Sequence, residues 1–331
     1  MLQTVRGRRV LVSGAGGFIG SHLVEALVAG GAEVKALLHY NAQGSIGNLA
    51  LVPPEVVAQV KIVHGDICDA DFCRQLIEDR EVIFHLGALI AIPYSYAAPR
   101  SYVSTNIGGT LNLLEGVRAT GGRLVHTSTS EVYGSARYVP IDEAHPLQAQ
   151  SPYAATKIGA DKLVEAYVRS FDLDAVTVRP FNTFGPRQSA RAIIPTVIGQ
   201  ALGRPKSVQL GALTPVRDLT YVSDTVDGFI TAGAAPAAKG RVFNLGTGVG
   251  VAIGDLAALI LKLMGCDARV ELDPQRMRPE ASEVDRLISS HAAFTEATGW
   301  APQVSLEQGI QRTIDYFVSR PDLLPRTGYV V

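Results

Sequence analysis

The 331-residue chain reads as a doubly wound α/β protein: a parallel Rossmann sheet with helices on both faces, followed by a smaller, discontinuous C-terminal α/β lobe. Three observations lead there. A glycine-rich turn, Gly14–Gly20 (GAGGFIG), joins an apolar β-branched run to a helix-patterned run. Strand and helix patterns then alternate as far as Pro180. Beyond it the alternation breaks into short segments punctuated by Pro186, Pro195, Pro205 and Pro215. Repeated βαβ units bury a parallel sheet between two helix layers, and their right-handed crossovers leave few other topologies.

The elements follow in order. Arg9–Ser13 (RVLVS) is a short buried strand, and SHLVEALVAGG after the glycine turn carries Leu23, Leu27 and Val28 at helical spacing until Gly30 and Gly31 stop it. Glu33–Leu38 closes the first βαβ unit. Val60–Val63, Glu81–Leu86, Arg123–Ser128 and Ala175–Arg179 read as further strands, separated by helices over Asp71–Glu78, Tyr102–Ala119 and Tyr153–Ser170. Val242–Leu245 (VFNL) still reads as a buried strand and returns the chain to the main sheet. Helices and a short strand at Ala268–Leu272 make up the remainder. The expected division is therefore a dinucleotide-binding domain over 1–180 with a return segment near 218–250, and a lobe formed by 181–217 and 251–331.

Composition narrows the function. Apolar residues are 47% and charged residues 18% of the chain, which excludes a disordered protein. Thirty basic against thirty-one acidic residues give a net charge of −1, so bulk charge makes no case for nucleic acid or an anionic membrane. No apolar run approaches the ~20 residues that span a bilayer. The N-terminal run breaks at glycines too early for a secretory signal. Three cysteines without CxxC or Cys/His zinc spacing, and seven histidines without a metal constellation, suit a reduced cytoplasmic enzyme without a bound metal.

Gly14, Gly17 and Gly20 form a GxxGxxG between a strand and a helix. Glycines let the backbone approach a pyrophosphate, and the helix N-terminus offers it free N–H groups and a positive dipole end. Phe18 and Ile19 supply the intervening N–H groups. After the second strand the chain reads Leu38-His39-Tyr40-Asn41, with neither the acid usual for NAD nor an arginine for a 2′-phosphate, and no Lys or Arg follows before Val60. NAD is therefore favoured over NADP. His39 is either the ribose partner or a surface residue. Asp66, just after a strand, is either an acceptor for the adenine amino group or a turn aspartate. Ile67 and Leu86 complete the expected cofactor contacts.

Tyr153 and Lys157 form a YxxxK on one helix face, where an ammonium can stabilise a phenolate. Thr127–Gly134 (TSTSEVYG) places hydroxyls and a carboxylate beyond the C-terminal end of a parallel strand, the edge at which open α/β sheets bind ligands.

Together with Arg179-Pro-Phe-Asn182, Arg217-Asp-Leu-Thr-Tyr-Val-Ser-Asp224 and Asn244-Leu-Gly-Thr-Gly248, these segments resemble the extended short-chain dehydrogenase/reductase superfamily, the nucleotide-sugar epimerases, dehydratases and decarboxylases, over nearly the whole chain. Within it, Thr129-Ser130-Glu131 is similar to the triplet of 4,6-dehydratases and of UDP-glucuronate decarboxylases, whereas epimerases usually lack the glutamate. The arginine that decarboxylases carry before the catalytic tyrosine is replaced by Gln150-Ser151-Pro152. HLGALIAIPYSY, TSTSEVYGSARYVPIDE and RPFNTFGPRQSARAIIP look most like the dehydratases of legionaminic-acid-type pathways, which act on nucleotide-linked N-acetylglucosamine. A non-catalytic NAD(P)-binding protein of the same fold would have lost the tyrosine, the lysine or the acid.

The resemblance implies a redox-neutral cycle. Tyr153 takes the 4-hydroxyl proton as hydride leaves C4, Glu131 takes the C5 proton, water leaves C6, and hydride returns to C6. Lys157 tunes Tyr153, and Thr129 bonds the 4-oxygen. Ser130 stands where some dehydratases have an acidic aspartate, so either Glu131 carries the proton to the departing hydroxyl or Ser130 relays it through water. The resemblance assigns Asn182 to the sugar pocket and Arg217 and Arg278 to the diphosphate, with Arg187 and Arg191 as further cations. It also implies a homodimer built on a four-helix bundle of Tyr102–Ala119 and Tyr153–Ser170.

Overall fold

The computed structural model describes residues 2–276 and 283–324. Its strands are β1 Arg9–Ser13, β2 Glu33–His39, β3 Lys61–Gly65, β4 Val82–His85, β5 Arg123–Thr127, β6 Ala175–Pro180, β7 Asn182–Phe184, β8 Ser207–Leu210, β9 Val216–Tyr221, β10 Val242–Leu245, β11 Gly250–Ala252, β12 Arg269–Leu272 and β13 Arg286–Leu287. The described helices of eight residues or more are α1 Phe18–Ala29, α2 Ala70–Ile77, α3 Gly109–Thr120, α4 Pro152–Phe171, α5 Ile193–Leu202, α6 Val222–Ala234, α7 Ile253–Leu263 and α8 Leu306–Ser319.

Seven parallel strands form the main sheet in the order β10-β6-β5-β4-β1-β2-β3. The order in which successive strands are added reverses between β1 and β4, which opens a crevice at their C-terminal ends. The two-residue alternation of each strand sorts the core. Val10 and Val12 face one layer with Leu23 and Leu27 of α1 and Phe229 and Ile230 of α6. Leu11 faces the other with Ile83, Leu76 of α2, Leu113 and Leu114 of α3 and Val164 of α4. Burial on both faces makes these strands continuous apolar runs rather than alternating ones.

The strand β9 pairs with β7, β11 and β13 in a separate small sheet. The chain returns to the main sheet through α6 and β10, which lies parallel beside β6. A two-stranded sheet of β8 and β12, with α5, α7 and α8, completes the lobe.

The helix expected over Tyr102–Ala119 begins earlier, at Pro99, and its second turn, Val103–Gly108, is π-helical. The buried Asn106 lies in that turn. Its side chain accepts from the Leu89 N–H at 2.9 Å and donates to the Leu89 carbonyl and to Thr156 Oγ1, each at 3.0 Å. The widened turn thus ties the segment leaving β4 to α4; π-turns are frequent beside functional sites.

Candidate active site

The glycine turn occupies the sheet reversal. Gly14 has φ +72°, and a Cβ there would meet the Gly87 nitrogen and the Leu86 carbonyl carbon at 2.8 Å. At Gly20 a Cβ would lie 2.2 Å from the Gly14 oxygen, so α1 can start close to β1 only with glycine at this position. Gly17 is the N-cap of α1 and provides no side-chain cap for the first-turn N–H groups of Phe18, Ile19 and Gly20. Such a helix start is a ready anion site. The cradle therefore fits a dinucleotide pyrophosphate. Leu86, just after β4, lies against Gly14, and at the same C-terminal sheet edge follow Asp66, after β3, where one carboxylate oxygen accepts from the Cys68 N–H at 2.9 Å, and Ile67, buried against Gly109. His39 is exposed at the end of β2, at the same sheet edge.

Tyr153 and Lys157 lie on the inner face of α4, both buried. Ser151 caps this helix by accepting from the Ala154 N–H, and Pro152 occupies its first position. The Tyr153 hydroxyl hydrogen-bonds the Thr129 side chain. Burial, opposed by that bond, pushes the phenol above its usual range, and the Glu131 carboxylate pushes it further in the same direction. Burial also lowers the Lys157 ammonium to about 8, against the opposing influence of Asp161. The ammonium donates to the Thr127 carbonyl at 2.6 Å.

Thr129, Ser130 and Glu131 follow β5 and enter a single 3-10 turn, Ser130–Tyr133. Thr129 Oγ1 accepts from the Glu131 N–H at 3.2 Å, which sets the glutamate one step from Tyr153. The turn is pinned from below by fully buried Val132 and Tyr133. Tyr133 donates to Asn244 Oδ1 at 2.7 Å and accepts from Arg179 at 2.9 Å. Thus Thr129, Glu131, Tyr153 and Lys157, dispersed in sequence, converge at one strand end.

The lobe residues are placed differently from one another. Asn182, at the start of β7, has a buried side-chain oxygen without a hydrogen-bond partner. Arg217 on β9 is buried and pairs with Glu283 at 3.2 Å. Arg191 is exposed, and its charge partly opposes the rise that burial imposes on the Tyr102 phenol. Arg187 departs from the diphosphate role expected of it. It is buried and reaches back to α1 with two of its nitrogens, NH2 pairing with Glu25 at 2.6 Å and Nε bonding His22 Nε2 at 3.3 Å. Arg278 lies outside the described residues.

Several supporting residues carry no motif. Asp161, one turn beyond Lys157, is buried and accepts from His126 at 3.1 Å, from Ser128 at 2.8 Å and from two nitrogens of Arg179 at 2.9 and 3.1 Å. Its spacing, i+4 from Lys157 and i+8 from Tyr153, was the available signal. Asp218, fully buried, gathers the N–H and hydroxyl of Thr247, the Gly248 N–H, and the N–H and hydroxyl of Ser289. It ties the loop after β10 to β9 and to Ser289.

A family model described as GDP-mannose 4,6 dehydratase matches residues 11–313. The chain is 36% identical over 315 residues to a UDP-glucose 4-epimerase of Mycolicibacterium smegmatis, covering 93% of this chain and 98% of that protein. It is 31% identical over 318 residues to a dTDP-glucose 4,6-dehydratase of Actinoplanes sp., covering 93% and 97%. Among solved structures it is similar to DesIV, a dTDP-glucose 4,6-dehydratase from Streptomyces venezuelae crystallised with NAD, with a TM-score of 0.84, 31% identity and coverage of 96% and 98%. The chain belongs to the nucleotide-sugar epimerase/dehydratase family of the extended short-chain dehydrogenase/reductases.

Proposed function

We propose that this family member is an NAD-dependent nucleotide-diphosphate-sugar 4,6-dehydratase, acting on nucleotide-linked N-acetylglucosamine to give a 4-keto-6-deoxy sugar. The observation that carries the reading is Glu131 beside the Thr129–Tyr153 pair, held there by the Thr129 bond to its own N–H. A 4-epimerase has no use for a second base. Elimination requires one at C5.

Bound NAD⁺ would supply the hydride acceptor and, later, the donor, and the glycine cradle, Asp66 and Lys157 would hold it. Tyr153 takes the proton from the sugar 4-hydroxyl. The Lys157 ammonium lowers the cost of that phenolate in a site where burial opposes it. Thr129 bonds the 4-oxygen and keeps the phenol aligned. Glu131 removes the C5 proton made acidic by the 4-ketone. Ser130 is buried and is too weak an acid to protonate the departing 6-hydroxyl unaided. The protonated Glu131 is the donor within this cluster, or Ser130 passes a proton through water. Asn182 faces the sugar, and Arg217, with Arg191 at the rim, meets the diphosphate.

A second reading, 4-epimerase, is favoured by the 36% identity to the mycobacterial epimerase. The test is incubation with UDP-, GDP-, CDP- and dTDP-linked N-acetylglucosamine and glucose, with UDP-glucuronate as a control, followed by mass spectrometry. A product lighter by one water supports dehydration. An isomer of unchanged mass supports epimerisation. Loss of carbon dioxide from the UDP-glucuronate control supports decarboxylation. No product from any sugar removes the catalytic reading.

We also infer a homodimer. Val103 and Leu111 on the 99–120 helix and Phe171 at the end of α4 are exposed apolar side chains on the helix pair that forms an intermolecular bundle in this superfamily. A monomer mass by light scattering at micromolar concentration would remove it.

A further inference from the structure

We propose that Arg187 is a positioning residue that couples the cofactor cradle to the sugar-nucleotide pocket, so that filling one raises the affinity of the other. The inference rests on the nucleotide-sugar reading above.

Arg187 lies in the turn that follows β7. Two separate links lead from it to the cradle. Through its side chain, NH2 donates to Glu25 Oε2 at 2.6 Å and Nε donates to His22 Nε2 at 3.3 Å. The other nitrogen of His22 meets the Phe18 carbonyl at 3.0 Å, and the two rings stack edge to face with centroids 5.5 Å apart. Nδ1 therefore carries the proton and Nε2 accepts from the arginine. Burial first, and the Arg187 charge second, lower His22 to about 4, which keeps this neutral tautomer at ordinary pH. The chain of contacts ends at Phe18, the first residue of α1.

Through its backbone, the Arg187 carbonyl accepts from Asn48 Nδ2 at 3.0 Å, and the Asn48 N–H donates to the Gly16 carbonyl at 2.8 Å. A Cβ on neighbouring Gly47 would lie 2.6 Å from that same Gly16 oxygen, so this backbone contact is close-packed. The second link ends inside the glycine turn itself. Both links end on carbonyls of the segment Gly16–Phe18, where the helix start would face a pyrophosphate.

In the other direction Arg187 leads into the lobe. Gln188 Nε2 donates to the Thr183 carbonyl at 3.1 Å, and Thr183 shares a hydroxyl contact of 3.0 Å with Thr225. Thr183 adjoins Asn182, whose buried amide oxygen is unbonded. Asn182 is in register with Leu219 of β9, the strand that bears Arg217. Hydrogen bonds and adjoining backbone thus lead from Gly16 and Phe18, through Arg187 and Gln188, to Thr183 beside Asn182, and the pairing of β7 with β9 carries on to the strand of Arg217.

Two features mark Arg187 as held by its surroundings rather than by its own preferences. Its φ is +64°, uncommon for a residue with a side chain, and its buried NH1 has no partner. A rigid link between two sites lets the ordering of one reduce the entropy lost at the other, which is positive coupling without a large movement. The effect is reciprocal by linkage.

Calorimetric titration of NAD⁺ into the full chain, alone and with saturating UDP, dTDP, GDP or CDP, reads the coupling as a ratio of two dissociation constants. The expected ratio for the unmodified protein with the nucleotide that binds is at least about 5-fold, the lower end of typical couplings. Arg187→Gln and Glu25→Gln should each bring it toward one, and the charge-swapped pair Arg187→Glu with Glu25→Arg should recover part of it. A ratio of one in the unmodified protein, or an undiminished ratio in Glu25→Gln, overturns the proposal. So does a variant that loses thermal stability yet keeps the ratio, since that is a purely structural brace. If Arg187→Gln does not fold, Glu25→Gln, at a half-exposed helix position, decides the matter alone. Binding of no nucleoside diphosphate overturns the coupling and the nucleotide-sugar reading together, whereas binding without coupling overturns only the former.

Discussion

Lys157 donates its ammonium to the carbonyl of Thr127 across 2.6 Å, which fixes α4 to the end of β5 and holds a buried charge next to Tyr153. With the amine lowered to about 8 by burial, the cation that supports the phenolate is lost as pH rises through that value. We expect kcat/KM, which reports the free enzyme, to fall along an alkaline limb near pH 8. Stability should respond with the opposite sign. The folded value lies below the ordinary 10.5, so the unfolded chain binds more protons between the two and this group's contribution to stability rises over that window. Lys157→Arg keeps its charge at every accessible pH. It should lower the rate and remove the limb; an unchanged limb would assign it to another group.

Tyr153 and Glu131 act at different steps, so their variants should fail differently. Tyr153→Phe should show neither loss of water nor reduced-nicotinamide absorbance. Glu131→Gln leaves Tyr153 and Lys157 intact and should accumulate that absorbance with sugar bound. Its exchange of the C5 hydrogen with solvent and its loss of water should slow by ~10²–10⁴-fold, the usual cost of a missing positioned base. A Glu131→Gln enzyme within a few-fold of the unmodified rate would leave the carboxylate as a loop-solvating group.

Arg179→Met should destabilise the fold by about 3–5 kcal/mol, the usual cost of removing one partner of a buried ion pair. Asp161 would keep only His126 and Ser128, and Tyr133 would lose a donor. Pairing Arg179→Met with Asp161→Asn should cost less than the sum of the two changes, because the isolated charge is gone. Denaturant unfolding of the four proteins measures the difference, and simple additivity would argue against the pair.

Gly20→Ala introduces a methyl that would lie 2.2 Å from the Gly14 oxygen, with backbone rather than a flexible side chain as the obstacle. Relief requires α1 to move away from β1 or the glycine turn to open. A stability loss of ~1–3 kcal/mol is expected, together with weaker NAD⁺ binding. Gly199→Ala, inside α5 with no atom closer than 3.6 Å to its Cβ position, is the control for a helical glycine replaced without a steric obstacle. Equal NAD⁺ affinity in both variants would contradict the cradle assignment.

Local chemistry made much of the molecule legible in the sequence. The apolar strands, the glycine turn at the head of α1 and the YxxxK face of α4 each depend on residues near one another in the chain, and spacing alone locates them. Val242–Leu245 showed its return to the sheet by composition, and the structure pairs it with β6 along its whole length. What depended on distant residues was not legible. The strand β9 overlaps the start of the segment expected to return to the main sheet, near 218–250, but pairs with β7, β11 and β13 instead, because its neighbours are chosen by the path of the lobe. The i+4 spacing of Asp161 gave no hint of the Arg179, His126 and Ser128 that surround it. Arg187, read as a cation for the diphosphate, turns instead toward Glu25 and His22, which precede it by most of the Rossmann portion of the chain. A charged side chain takes whichever opposite charge the fold brings within reach. Sequence determined that an arginine stood in that turn; only the packing of the lobe against α1 decided which acid it would meet.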